Sequence, residues 1–160
     1  NGSVCQRAND NGGGQLVISG AKAAVEEAAR LAGERGAKRA IMLPVSAPFH
    51  SALMEPAAVR MRDALAEVEK HAPSVPVIAN VTVSPLSDPQ EIAERLVEQV
   101  MGRVRWRETV EWFAQNGVDT LYEIGSGKVL TGLARRINRD LNALAVNTPA
   151  DIEATLKALL

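Results

Sequence analysis

The sequence has one cysteine, two histidines and almost no charge imbalance, and each shortage removes a class of function. Cys5 can form no internal disulfide and no multi-cysteine zinc site, and within its strand-like run it is expected in the core. His50 and His71 show no HExxH spacing and no clustered carboxylates, so no metal site is expected. A formal net charge of -1 argues against nucleic-acid binding through a basic field and against docking on an anionic membrane surface. No run approaches the roughly 18 apolar residues of a membrane span, and no basic-then-apolar signal segment opens the chain. The expected location is therefore the cytoplasm.

Two motifs are missing as well. The nucleophile elbow G-x-S-x-G occurs nowhere, since Gly125-Ser126-Gly127 lacks its spacing. The phosphate loop G-x-x-x-x-G-K-[ST] fails because Tyr122 stands where a glycine is required and Val129 where Ser or Thr is required. The chain also opens on Asn1-Gly2-Ser3 with no initiator methionine, running straight into a strand-like stretch, and so reads as beginning partway through a longer protein.

What is present is ordinary globular composition, 46% hydrophobic and 23% charged, without repeats or low-complexity segments. Residues 4–8 and 15–19 flank an Asn/Asp/Gly-rich reversal and predict a hairpin; a phosphate-cradling loop is the alternative, but no helix follows directly. Residues 21–35 predict an amphipathic helix with Val25, Ala28, Ala29 and Ala32 on one face and Gly36 beyond its end. Residues 39–45 predict a strand, 51–70 a helix stopped before Pro73, and 75–83 a strand with Asn80 near its end. Asp88-Pro89-Gln90-Glu91 opens a helix to about Met101, and residues 105–115 form another with Trp106, Val110 and Phe113 on one face. A strand over 120–124, a glycine turn, a helix over 128–141, a strand over 143–146 and a final helix from Thr148 follow. From Val75 onward the alternation argues for a parallel α/β sheet.

The chain is organised around Pro44-Val45-Ser46-Ala47-Pro48-Phe49-His50-Ser51, a proline-stiffened turn that delivers His50 to a helix start. A histidine so placed is either a catalytic base or a packed ring with one nitrogen on a backbone carbonyl. A base needs a nucleophile within about 3 Å and a third group to fix its tautomer. Ser51 is adjacent and projects elsewhere, and Ser46 sits in no elbow. Asn80 and Gln99 have plain structural readings, one satisfying backbone groups at a strand end, the other exposed in a last helical turn.

Ser46-Ala47-Pro48-Phe49-His50-Ser51-Ala52-Leu53-Met54, Val75-Pro76-Val77-Ile78-Ala79-Asn80-Val81, Gln99 before Val104-Arg105-Trp106, and Leu121-Tyr122-Glu123-Ile124-Gly125-Ser126-Gly127-Lys128-Val129-Leu130 together resemble the bacterial malonyl-CoA:acyl carrier protein transacylases. The resemblance runs along essentially the whole chain. It implies an α/β fold: a partial ferredoxin-like small lobe over residues 1–45, followed over 46–160 by the C-terminal part of an α/β-hydrolase-like core with a parallel sheet. It implies transfer of malonyl from CoA to the phosphopantetheine thiol of acyl carrier protein, through a serine ester and with no cofactor. The serine elbow, the arginine for the malonyl carboxylate and part of the oxyanion hole would lie upstream of Asn1. The isolated chain is therefore expected to be inactive and to pair with the N-terminal half of the enzyme.

Carried over residue by residue, His50 matches the family's base, and Gln99 the position whose backbone carbonyl accepts the histidine's other N–H. Asn80 matches an asparagine near the pocket, and Phe49 a ring able to crowd an α-methyl branch. Ser126 departs from the proline often found in this turn. A non-catalytic module that binds carrier protein, and an acyltransferase fragment of a polyketide synthase, are the alternatives.

Overall fold

The computed structural model describes residues 3–160. Contacts group the chain into two compact units. The first runs through Asp10 and from Gln15 to Arg105; the second holds Asn11–Gly14 and Trp106–Leu160.

In the first unit β1 (Cys5–Asp10) and β2 (Leu16–Gly20) form the expected antiparallel hairpin, with an irregularity in register between Arg7 and Asn9. Helix α1 (Lys22–Glu34) follows, with Val25, Ala28, Ala29 and Ala32 half-buried while its charged residues face solvent. Gly36, at φ +88°, supplies the left-handed residue that ends the helix. A single 3-10 turn, Ala52–Met54, leads into α2 (Glu55–Ala66), which packs against α3 (Pro89–Met101). Ala58 on α2 and Ala93 and Val97 on α3 are buried, and small side chains there let the two helices approach closely. The Asp88 carboxylate accepts from the Glu91 amide at 2.8 Å and Pro89 occupies the first turn, as the sequence led one to expect. Between the helices, β3 (Val77–Ile78) pairs antiparallel with β4 (Pro85–Leu86).

The second unit begins with α4 (Trp106–Gln115) and continues through β5 (Thr120–Ile124), α5 (Val129–Ile137), β6 (Asn142–Val146) and α6 (Pro149–Leu159). β5 and β6 are parallel, from Thr120 opposite Asn142 to Ile124 opposite Val146, and α5 is the crossover that parallel strands need. Val110, Ala134, Leu141 and Ala143 form its core, with Trp106, Leu121 and Ile137 packed around them. Val110 is fully buried, a burial that stabilises by roughly 2 kcal/mol. Gly12, at φ +74°, lies so close to Ile137 that a Cβ would stand 2.5 Å from its Cγ1, so no other residue fits. Thr148 and Asp151 close a reciprocal capping box on α6.

The α/β class and the parallel pairing agree with expectation, but several elements do not. Residues 39–45 form no strand: Val45 donates to the Leu43 carbonyl, and Ile41, Met42, Leu43 and Val45 are exposed. Branched apolar residues suit a strand, but a strand also needs a neighbour for its backbone groups, and none of the strand pairings among the described residues involves this segment. The strand expected over 75–83 shrinks to two residues, and it pairs antiparallel. The helix expected over 51–70 splits into the 3-10 turn and α2, which ends at Ala66, and beyond it Lys70 Nζ donates to the Leu65 and Val68 carbonyls at 2.6 and 2.9 Å. Helix α5 stops at Ile137, leaving Leu141 buried ahead of β6 and not on the helical stripe. Cys5 is exposed and not in the core, as are Gln6 and Arg7 after it, so the first half of β1 does not alternate in burial.

Candidate active site

The approach to His50 bends at Pro44, where Val45 N–H donates to the Leu43 carbonyl at 2.9 Å, and again at residues 46–47, and His50 itself adopts φ +56°. The left-handed region is uncommon for a residue with a side chain, and such a conformation persists only where the surroundings fix it. They do so on several sides. Ser51 is fully buried and its hydroxyl donates to the Pro48 carbonyl at 2.7 Å, closing the turn. Met54 N–H donates to the Ser51 carbonyl, which starts the 3-10 turn. The half-buried imidazole then reaches back across the unit to the C-terminus of α3.

There Nδ1 lies 3.0 Å from the Gln99 carbonyl oxygen and 3.0 Å from that of Gly102. Both partners are acceptors only, so Nδ1 must carry the proton and donate it in a three-centre bond. The neutral ring then keeps its basic lone pair on Nε2. The acceptors are placed by the end of the helix: α3 stops at Gly102, whose amide donates to the Glu98 carbonyl at 2.8 Å, so the last carbonyls are left without helical partners. The Gln99 side chain adds a second hold, donating from Nε2 to the Gly102 carbonyl at 3.2 Å.

Gly102 was not among the residues singled out from sequence. Its α-carbon is so closely covered that a Cβ would meet Val81 Cγ1 at 2.7 Å and the Glu98 oxygen at 2.9 Å. A glycine directly after a helical pattern was a readable sign of a helix end, but nothing in sequence says that its carbonyl faces a histidine. Gln99 is half-buried, which its placement in a last helical turn did not suggest.

Asn80 lies beyond β3, in the turn closed by Val83 N–H on the Ala79 carbonyl at 2.8 Å. Through Val81 this turn packs on Gly102, and Arg105 donates to the Val81 and Thr82 carbonyls at 3.2 and 3.3 Å. The Asn80 turn and the acceptors of His50 thus share one wall. Phe49 is 47% exposed, with its ring available on the surface beside His50. Ser51 cannot serve as a nucleophile in this geometry, since its proton is committed to Pro48. Ser46 is exposed, and the strand that would have preceded its turn is absent.

In the second unit the Gly125-Ser126-Gly127-Lys128 turn connects β5 to α5, with Gly125 and Gly127 at φ +137° and +96°. The N-terminus of α5 is already occupied. The Glu123 carboxylate accepts from the Leu130 and Thr131 amides at 3.1 and 2.7 Å. Partial desolvation pulls the Glu123 carboxyl upward, but the amides of Thr131, Leu130 and Val129 outweigh it and hold the group below the usual carboxylate range. This turn binds its own anion, so it is no phosphate loop.

Among the described residues no cluster of three His, Cys, Asp or Glu could hold a metal ion, and no helix is long and apolar enough to cross a membrane.

No protein-family profile matches the chain. Individual proteins do. The malonyl CoA-acyl carrier protein transacylase of Bacillus subtilis is 45% identical over 158 residues, covering 99% of this chain and 50% of the relative. By sequence and by fold the chain matches the C-terminal half of the malonyl-CoA:acyl carrier protein transacylases. The crystal structure of acyl-carrier-protein-S-malonyltransferase from Bartonella henselae superposes with a TM-score of 0.93 at 66% identity, over 98% of this chain and 50% of that one. A malonyl-transacylase solved in complex with a type II polyketide-synthase acyl carrier protein superposes at 0.92 and 44% identity, over 98% and 50%. The chain thus spans about half the length of the transacylases it matches.

Proposed function

We propose that the chain is the histidine-bearing half of a cytoplasmic enzyme that moves malonyl from CoA to the phosphopantetheine thiol of acyl carrier protein. The observation that carries the reading is the His50 Nδ1 contact with the Gln99 and Gly102 carbonyls. Neutral carbonyls fix the tautomer without placing a negative charge beside the ring, so His50 acts in a dyad with a serine and needs no aspartate.

In this reading the serine belongs to the other half of the enzyme. His50 Nε2 takes its proton as the serine oxygen attacks the thioester carbonyl of malonyl-CoA. The tetrahedral intermediate then expels the CoA thiolate, which takes the proton from the imidazolium. In the second half-reaction Nε2 removes the proton of the pantetheine thiol, the sulfur attacks the malonyl ester, and the proton returns to the departing serine oxygen. Phe49 beside the base limits branching at the malonyl α-carbon, and Asn80 helps shape the pocket wall next to Gly102. The division into a small lobe over 1–45 and part of a core over 46–160 belongs to the same proposal. The carrier protein bound to a related transacylase supports the choice of partner.

The test is malonyl transfer to holo acyl carrier protein by the full-length enzyme with and without His50→Ala. The reading expects transfer to collapse, whereas a module that merely binds carrier protein would be indifferent to the change. Transfer catalysed by the 160-residue chain alone would contradict the assignment of the serine to the other half.

A further inference from the structure

The turn that carries the histidine starts a helix whose first amide has no local partner. Ser51 stands immediately before Ala52–Met54, where a capping oxygen is expected, yet its hydroxyl donates backward to Pro48 and caps nothing ahead of it. The Ala52 amide instead donates at 2.9 Å to Oε1 of Gln6, a residue of β1 that lies 46 positions earlier. The same strand is also fastened to the segment that follows the carbonyl acceptors. Val104 N–H donates to the Ala8 carbonyl at 2.8 Å, and Asp10 N–H donates to the Val104 carbonyl at 2.9 Å. Val104 follows Gly102 by two residues, as Ala52 follows His50 by two.

One strand therefore holds both the segment that carries the ring and the segment that carries its acceptors. On the acceptor side the tie is backbone to backbone, and almost any sequence could make it. On the histidine side it is a side chain, and it depends on Gln6. We infer that Gln6 is a positioning residue for His50: by capping Ala52 from β1 it fixes the left-handed turn at the spacing where Nδ1 meets both carbonyls. The bond from Gln6 reaches the Ala52 amide, two residues beyond the ring. Its effect is on how often the imidazole stands in the productive place, a quantity to which proton transfer is sensitive.

The inference rests on reading His50 as the base, and the experiment keeps the two apart. In the full-length enzyme, Gln6→Met preserves the side chain's length without an acceptor, and kcat should fall about fivefold to tenfold, the scale of one lost hydrogen bond. KM for malonyl-CoA should stay within about twofold and the pH profile should keep its shape, because no titrating group is touched. Gln6→Glu retains an acceptor oxygen and should recover turnover to within about twofold, while Gln6→Asn, one methylene too short, should match the Met variant. If Gln6→Met is insoluble, the Asn and Glu variants make the same comparison. Wild-type turnover in the Met and Asn variants, a Glu variant as slow as the Met variant, or a raised KM with unchanged kcat would each overturn the inference. His50→Ala measured alongside separates the cases. If that variant stays active the base reading itself fails, and if it is dead while Gln6→Met is unaffected only the role of Gln6 fails.

Discussion

Two of the turns that feed helices, Gly125–Lys128 and Pro48–Ser51, handle the polar groups at their junctions in opposite ways. Gly125–Lys128 follows a strand, uses glycines for its left-handed positions, and has its helix N-terminus filled by Glu123 from its own strand. The turn at Pro48–Ser51 forces a histidine into the left-handed region, borrows its helix cap from β1, and commits one ring nitrogen to two carbonyls. In the first turn the Leu130 and Thr131 amides at the helix start are already taken by a carboxylate of the preceding strand. The second spends several hydrogen bonds on a strained residue, all of its ring contacts to Gln99 and Gly102 fall on Nδ1, and the proposed reaction uses the other nitrogen, Nε2. The proposed function places the chemistry at the strained histidine and not at the glycine turn.

Removing the proposed base should have the largest effect. In the full-length enzyme His50→Ala is expected to lower kcat/KM about a thousandfold, within the range assigned to a general base, while the matching change at exposed His71 should leave the rate unchanged. Steady-state transfer kinetics decide it. Next comes the acceptor wall. Gly102→Ala forces a Cβ against Val81 and the Glu98 oxygen, and should cost about 2 kcal/mol by overpacking as well as slowing turnover. Denaturant unfolding measures the first effect and the transfer assay the second.

Ser51→Ala should be milder, about 1 kcal/mol of stability for a lost buried hydrogen bond, with activity reduced less than tenfold. An activity as low as that of His50→Ala would make Ser51 the nucleophile and break the contrast between the turns. The smallest effect belongs to the glycine turn. Glu123→Gln keeps the shape and loses the charge, and should destabilise α5 by about 1 kcal/mol near neutrality. Because the folded Glu123 carboxyl titrates below its unfolded value, its contribution is complete above the unfolded pKa and disappears as pH falls through the folded one. Wild-type and variant unfolding midpoints should therefore converge in acid, and a difference that persists at the lowest pH would rule out an ionic cap.

Much of this was legible in the residues. The hairpin, α1, the Asp88 and Thr148 helix starts and the parallel pairing of β5 with β6 rest on local signals, namely turn residues, caps and periodicity. His50 stood out from its proline-stiffened turn and Gln99 came from family resemblance, and the structure brings the two named groups together at 3.0 Å. What escaped depends on contacts between distant segments. The apolar run before Pro44 has strand-like composition, but composition does not supply a pairing partner. Cys5 and Gln6 could not be assigned by alternation, because the register irregularity between Arg7 and Asn9 is invisible locally. Gly102 and Gln6 act through a carbonyl and an amide oxygen, and no residue type advertises that use.

The central claim is the tautomer of His50. Nitrogen-15 NMR of the histidine side chains tests it directly, with His71, the only other histidine, as an exposed internal reference. In the neutral ring, a protonated, pyrrole-type Nδ1 and an unprotonated, pyridine-type Nε2 are expected for His50. A His50 signal with the proton on Nε2 would contradict it, because the ring would then present a donor where the proposed reaction needs a base.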